Sequence, residues 1–259
     1  MSHIRYEVTD GIGTITIDRP EKRGAMTYAM LFEFIETVRR AGADPDARVV
    51  VLTGAPGTFC AGTDLADLAT VPGEARGVRG HADESDVWWP LAQVPKPVIA
   101  AVDGPAVGMG VEFATHCDVR IASTNARFGW VFVHRGLVPD TGAGTWLLPR
   151  LVGLPAALEL LYSGRIIDVQ EAHALGFVRE VVAPDELLPR AYEVARSYLA
   201  GSPFAMGRIK ELVYRGLERD VTEHMHAHVE ALKACFASED HAEGTAAFLE
   251  RREPRFTGR

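Results

Sequence analysis

Two glycine-framed segments constrain this chain more than anything else in it: Phe59-Cys60-Ala61-Gly62-Thr63-Asp64-Leu65 and Val102-Asp103-Gly104-Pro105-Ala106-Val107-Gly108-Met109-Gly110-Val111-Glu112. The first follows the apolar β-type run Val49-Val50-Val51-Leu52, the second follows Pro97-Val98-Ile99-Ala100-Ala101-Val102, and both lead into helical patterns. Glycine beside alanine lets backbone approach a ligand closely, and a helix N-terminus presents N–H groups without intrahelical acceptors. Two such groups aimed at one point form an oxyanion hole, which stabilises negative charge developing on a thioester oxygen. Glu112 is a single carboxylate just inside the second helix. The combination points to enolate chemistry with Glu112 as a candidate acid or base.

Bulk properties narrow the alternatives. A chain of 259 residues can form one large domain, or a core with an appendage. Its formal net charge of −8 argues against nucleic acid as a partner. Cys60, Cys117 and Cys235 are odd in number, widely spaced and without a CxxC pair, which fits reduced thiols in a reducing compartment. No apolar run approaches the roughly 18 residues of a membrane span. Met1 to Glu7 lacks a basic flank followed by an apolar stretch, so no secretory signal is expected there. A cytoplasmic protein without a membrane partner is the expectation.

Residues Tyr6 to Val8 and Ile12 to Ile17 alternate around Asp10-Gly11, a hairpin pattern. From Thr27 to Arg40 the spacing puts Met30, Leu31, Phe34, Ile35 and Val38 on one helical face. Strands are predicted at Arg48 to Leu52, Val98 to Val102 and Val119 to Ala122, and the recurring strand-pair-plus-helix unit is compatible with a ββα spiral. Thr70 to Ser85, rich in Gly, Arg, Asp and Glu without periodicity, reads as a loop. After Pro184 only helices are expected, with Ser202-Pro203 and Ser238-Glu239-Asp240 as helix starts. The layout is an α/β core over 1–195 and a C-terminal helical region over 196–259.

Asp18-Arg19-Pro20-Glu21-Lys22-Arg23, Phe59 to Leu65, Pro95-Lys96-Pro97 to Gly104, Cys117-Asp118-Val119-Arg120-Ile121-Ala122 and Leu148-Pro149-Arg150-Leu151-Val152-Gly153 occur in that order. This ordered set resembles the enoyl-CoA hydratase/isomerase, or crotonase, superfamily from about Tyr6 to Phe256. The resemblance implies a spiral of ββα repeats with a C-terminal helical trimerisation region. It also implies a homotrimer or a dimer of trimers, and an acyl-CoA thioester substrate. Neither metal nor cofactor is implied, coenzyme A being part of the substrate. It further assigns oxyanion donors to the backbone N–H of Thr63 and Met109. CoA contacts fall to the backbone near Arg23, Ala25, Ala61 and Asp64, and to Phe248 and Arg251, a pair often supplied by a neighbouring subunit.

One departure stands out. Hydratases of the superfamily carry two glutamates around the bound water; Glu112 matches the first, while alignment of Phe128-Gly129 through Pro139 puts Phe132 at the second. Asp140 matches an aspartate that transfers protons in some isomerases and attacks as a nucleophile in an aryl-CoA dehalogenase branch. Hydration or double-bond isomerisation by Glu112 and Asp140 is the expectation. Hydrolysis or dehalogenation through Asp140, or a catalytically weak CoA-ester-binding protein, are the alternatives. Trp88, Trp89 and Phe132 are candidates for an acyl pocket. His116 and His134 read as polar packing residues, and His224, His226 and His228 as solvated helical residues, so no metal ligands are expected.

Overall fold

The computed structural model describes residues 2–70 and 90–259. β1 (Ile4–Thr9) and β2 (Ile12–Ile17) form the hairpin, with Asp10 and Gly11 both at positive φ in its turn. The sheet continues through β3 (Val49–Gly54), β4 (Val98–Val102), β6 (Val119–Ser123) and β9 (Glu180–Val182), every pair after the hairpin being parallel. A second sheet joins β5 (Pro105–Val107), β7 (Arg127–Gly129) and β8 (Ile166–Asp168) in that order.

The apolar runs are continuous because the large sheet is covered on both faces. On one face Ile15, Ile17, Val50, Leu52, Val98 and Ala100 meet α1 (Tyr28–Ala43), whose buried residues include the five expected from its periodicity. Burial of each such Leu, Ile or Phe contributes about 1.5–3 kcal/mol. On the other face Val49, Val51, Ile99, Ala101 and Ile121 pack on Leu187, Ala191, Val194 and Ala195 of α9 (Leu187–Leu199). The expected boundary at 195/196 therefore falls inside a helix that packs on the sheet.

Between β5 and β6 lies α4 (Met109–His116), every residue of which is buried. Phe113 of α4 stacks on Phe34 of α1 with ring centroids 4.6 Å apart, fixing the site helix to the core. Short helices α2 (Leu65–Thr70), α3 (Pro90–Gln93), α5 (Ala143–Trp146), α6 (Leu148–Val152), α7 (Leu154–Ser163) and α8 (Val169–Ala174) fill the turns of the spiral. α10 (Pro203–Gly216), α11 (Val221–Phe236) and α12 (Glu239–Glu250) follow, starting at caps Ser202, Asp220 and Ser238. Lys210 and Tyr214 of α10 both bond the Asp118 carboxylate at 2.9 Å, tying this region to the turn after α4. Among the described residues no helix is long and apolar enough to cross a membrane.

Candidate active site

Cys60 joins the two glycine segments. Its N–H donates to the Pro105 carbonyl at 2.9 Å and its own carbonyl accepts from Val107 N at 3.0 Å, so residues 60–62 run beside β5. The approach admits no side chains. A Cβ on Gly110 would overlap the Cys60 carbonyl oxygen, and one on Gly62 would lie 2.8 Å from the Val107 carbonyl and 3.5 Å from Met109 N. Gly62 (φ +95°) and Gly108 (φ +57°) also need the left-handed backbone that glycine adopts readily.

On the far side of the same segment, Met26 N donates to Gly62 O at 2.8 Å and Asp64 N donates to Met26 O at 2.7 Å. Because successive peptide groups alternate in direction, the intervening Thr63 N–H is turned away from Met26. Met109 is the first residue of α4, where amides have no intrahelical acceptor. Neither the Thr63 nor the Met109 amide donates a hydrogen bond among the described residues. Two amides without acceptors among the described residues thus stand on backbone segments that touch at Gly62 and Gly110.

Glu112 lies one turn into α4 and is completely buried. Its Oε2 accepts from Thr141 Oγ1 at 2.7 Å and from Gly144 N at 3.1 Å. Its Oε1 is buried with no partner among the described residues, as is the indole N–H of Trp130. A Cβ on Gly144 would come within 2.6 Å of that Oε1 and 2.9 Å of Trp130 Cδ1, so only glycine fits at 144 against this carboxylate. Desolvation, reinforced by the charge of half-buried Asp140, pushes the Glu112 carboxyl up to about 7, against the hydrogen bonds from Thr141 and Gly144. A carboxyl titrating there can either give or accept a proton near neutrality.

Arg23, Ala25, Ala61 and Asp64 come together. Ala61 N donates to Arg23 O at 3.0 Å, while Arg19 Nη1 reaches both Ala25 O at 2.8 Å and Asp64 Oδ2 at 2.9 Å. The Asp64 carboxylate, held below its ordinary range first by that arginine, also caps α2 by accepting from Ala66 N at 3.0 Å. Arg19, which ties these two loops, stands in the Asp18–Arg23 motif, but nothing local in the sequence marks it as their link. Phe248 and Arg251 are exposed at the end of α12, and no described contact joins them to the Arg23 loop. Phe132 is buried on the 3-10 helix Val131–Arg135. Trp88, Trp89 and most of the expected loop up to Ser85 lie outside the described residues.

Two further residues enter the site. Thr141 bridges Glu112 and buried His116, whose Nε2 lies 3.3 Å from Thr141 Oγ1. His116 stands four residues after Glu112 on α4, the spacing at which side chains share a helix face, so that pairing was present in the sequence. Thr141 comes from a distant loop and carried no comparable signal. Cavities of about 470 and 990 Å³ open at the C-terminal helices, lined by residues such as Glu243 and Arg252, or Lys96 and Lys210, none from the Glu112 site. No cluster of three or more His, Cys, Asp or Glu able to hold a metal occurs among the described residues.

Comparison with known proteins gives a consistent relationship. The family model described as Enoyl-CoA hydratase/isomerase matches residues 7–259. Crotonyl-CoA hydratase of Syntrophomonas wolfei is 36% identical over 258 residues, covering 98% of this chain and 97% of the relative. The 1,2-epoxyphenylacetyl-CoA isomerase of Escherichia coli is 34% identical over 262 residues, covering 100% of both chains. The crystal structure of an enoyl-CoA hydratase from Bacillus anthracis superposes with a TM-score of 0.91 at 32% identity, covering 99% of this chain and 100% of that one.

Proposed function

This chain belongs to the enoyl-CoA hydratase/isomerase family, as an enzyme of hydratase or isomerase type acting on acyl-CoA thioesters, and from that premise we propose that it moves a double bond along the acyl chain rather than adding water. The observation that carries this reading is Phe132: the residue that the resemblance aligns with the hydratases' second glutamate is a buried phenyl ring. Hydration needs one group to activate water and another to protonate the α-carbon, and a positioned acid or base contributes on the order of 10²–10⁴-fold. Isomerisation relocates a proton without activating water, so it has no need of a carboxylate at the position of Phe132.

In the proposed reaction the thioester carbonyl accepts from the Thr63 and Met109 amides, each worth roughly 2.7–4 kcal/mol of transition-state stabilisation. Asp140, as carboxylate, takes a proton from the acyl chain, and the released electron pair moves through the new double bond onto the thioester oxygen. As that pair returns, Glu112 delivers a proton from Oε1 to the other carbon. Proton exchange between the two carboxyls or with solvent then resets the site. Environments that separate two carboxyls into an acid and a base are a general route to such a division of roles, and the effect of Asp140 on Glu112 supports it here.

Arg23, Ala25, Ala61 and Asp64 are proposed as the CoA contacts of one subunit, with Phe248 and Arg251 reaching the nucleotide, and Phe132, Trp88 and Trp89 bounding the acyl group. No cofactor is proposed. A homotrimer or dimer of trimers is supported by exposed apolar side chains on α10 and α11, among them Ile209, Val213, Met225 and Val229. The free Cys60, Cys117 and Cys235 suit a cytoplasmic location. Hydrolysis or dehalogenation by Asp140 is not favoured by relatives named for hydration and isomerisation.

The test presents a 3-enoyl-CoA, a 2-enoyl-CoA and an aryl-CoA separately in heavy water and follows products by mass spectrometry. Interconversion of the enoyl isomers with deuterium entering the acyl chain, and no product gaining the mass of water, is expected. Predominant hydration of the 2-enoyl-CoA would overturn the assignment.

A further inference from the structure

Glu112 is held asymmetrically. Oε2 receives two hydrogen bonds, from Thr141 Oγ1 at 2.7 Å and Gly144 N at 3.1 Å, while Oε1 receives none among the described residues. A hydroxyl has one proton to give, and beside an ionised carboxylate it is directed there. The Thr141 oxygen then turns its lone pairs to other donors, among the described residues Ala143 N at 3.4 Å and His116 Nε2 at 3.3 Å. Facing an oxygen that can only accept, Nε2 must carry the hydrogen. Burial depresses the His116 imidazole to about 3, so it stays neutral throughout the working range and adds no charge beside Glu112.

We propose that Thr141, backed by His116, is the positioning residue that decides which oxygen of Glu112 exchanges protons: it pins Oε2 as a permanent acceptor and leaves Oε1 to carry the mobile proton. This rests on the reading of Glu112 as an acid–base group. With Oε2 occupied by two donors, the proton of the neutral acid goes to Oε1, the oxygen that receives no hydrogen bond among the described residues. The elements packed on α4 leave few other groups to set the titration. β5, α3 and α5 contribute no ionisable residue, α1 carries its charges on exposed Glu36, Arg39 and Arg40 and half-buried Glu33, away from its core face, and Cys60, pushed up to about 12, stays a neutral thiol. Among the described residues, Asp140 from the loop before α5 and His116 on α4 itself are the ionisable groups that act on Glu112 or its partner Thr141.

The experiment compares kcat/KM against pH for the parent enzyme and for Thr141→Val, Thr141→Ser, His116→Leu, His116→Gln and Glu112→Gln, with thermal melts on each. With Glu112 as the acid, activity falls as pH rises through about 7. Thr141→Val removes a donor to the carboxylate and moves that limb up by roughly one pH unit. It also lowers kcat by about tenfold with KM held, as expected when a catalytic group loses its aim. Thr141→Ser restores both, and His116→Gln, which keeps an N–H donor, outperforms His116→Leu. Infrared titration of the protonated Glu112 carboxyl gives the same shift without turnover, in whichever of Thr141→Val or His116→Leu folds. An unmoved limb and band in those variants, alongside a limb abolished by Glu112→Gln, would overturn the positioning role alone. A limb that survives Glu112→Gln would instead overturn the acid–base reading beneath it.

Discussion

At the scale of single residues the controlling fact is that Glu112 is ionisable in a place that disfavours ionisation. Its carboxyl is raised from 4.5 to about 7, first by desolvation and then by Asp140. A folded state that holds its proton more tightly than the unfolded chain loses stability as pH climbs between those two values. Below about 4.5 the group costs nothing, and above about 7 its full penalty, on the order of 3 kcal/mol, is present. Glu112→Gln keeps an oxygen for Thr141 and Gly144 but cannot ionise. Its melting temperature should therefore gain on the parent between pH 5 and pH 8; a constant difference across that window would show that Glu112 is not strained by its charge. Glu112 was legible in the sequence because glycines and carboxylate sit within one local motif. Thr141 was not: it meets Glu112 across 29 positions, and only the fold brings them together.

At the scale of elements, the site depends on α4 being driven against the Cys60 strand. Gly110 is the contact point, since a methyl group there would overlap backbone that is itself bonded to β5 on both its donor and acceptor sides. Backbone cannot rotate aside as a side chain can, so Gly110→Ala must push α4 away and with it the Met109 amide. We expect a loss of about 1–3 kcal/mol in urea unfolding and a fall in kcat/KM of at least about 100-fold, the scale of one lost oxyanion donor. Gly42, in the last turn of α1, has no neighbour nearer than 3.7 Å to an added Cβ. Gly42→Ala should be neutral or stabilise by up to about 1 kcal/mol through reduced unfolded-state freedom. Equal behaviour of the two variants would remove the argument for close backbone approach. The hairpin, α1 and the central strands were readable because their periodicities are local and long. The three-residue strands β5, β7 and β8 are too short for any period to show, so the second sheet appeared only in three dimensions.

At the scale of the whole molecule, the C-terminal helices are attached but not buried. α10 and α11 contain no fully buried side chain, while Ile209, Val213, Val221 and Met225 remain exposed. The subunit association proposed above would cover such apolar surface, and Phe248, 82% exposed, lies on the helix that follows. Arg251 tests whether the end of that helix serves the substrate. It caps α12 in the left-handed conformation at φ +56°, its N–H directed to the carbonyls of Ala247 and Phe248. Glycine is the residue best suited to that backbone, so Arg251→Gly should preserve or raise stability, by up to about 1 kcal/mol. If the guanidinium reaches the phosphates of CoA, the same variant should raise KM for the thioester about tenfold and leave kcat nearly unchanged, because binding far from the reacting carbons is uniform binding. Structural damage would lower melting temperature and kcat together. An unchanged KM in a stably folded, fully assembled variant would remove Arg251 from the CoA site.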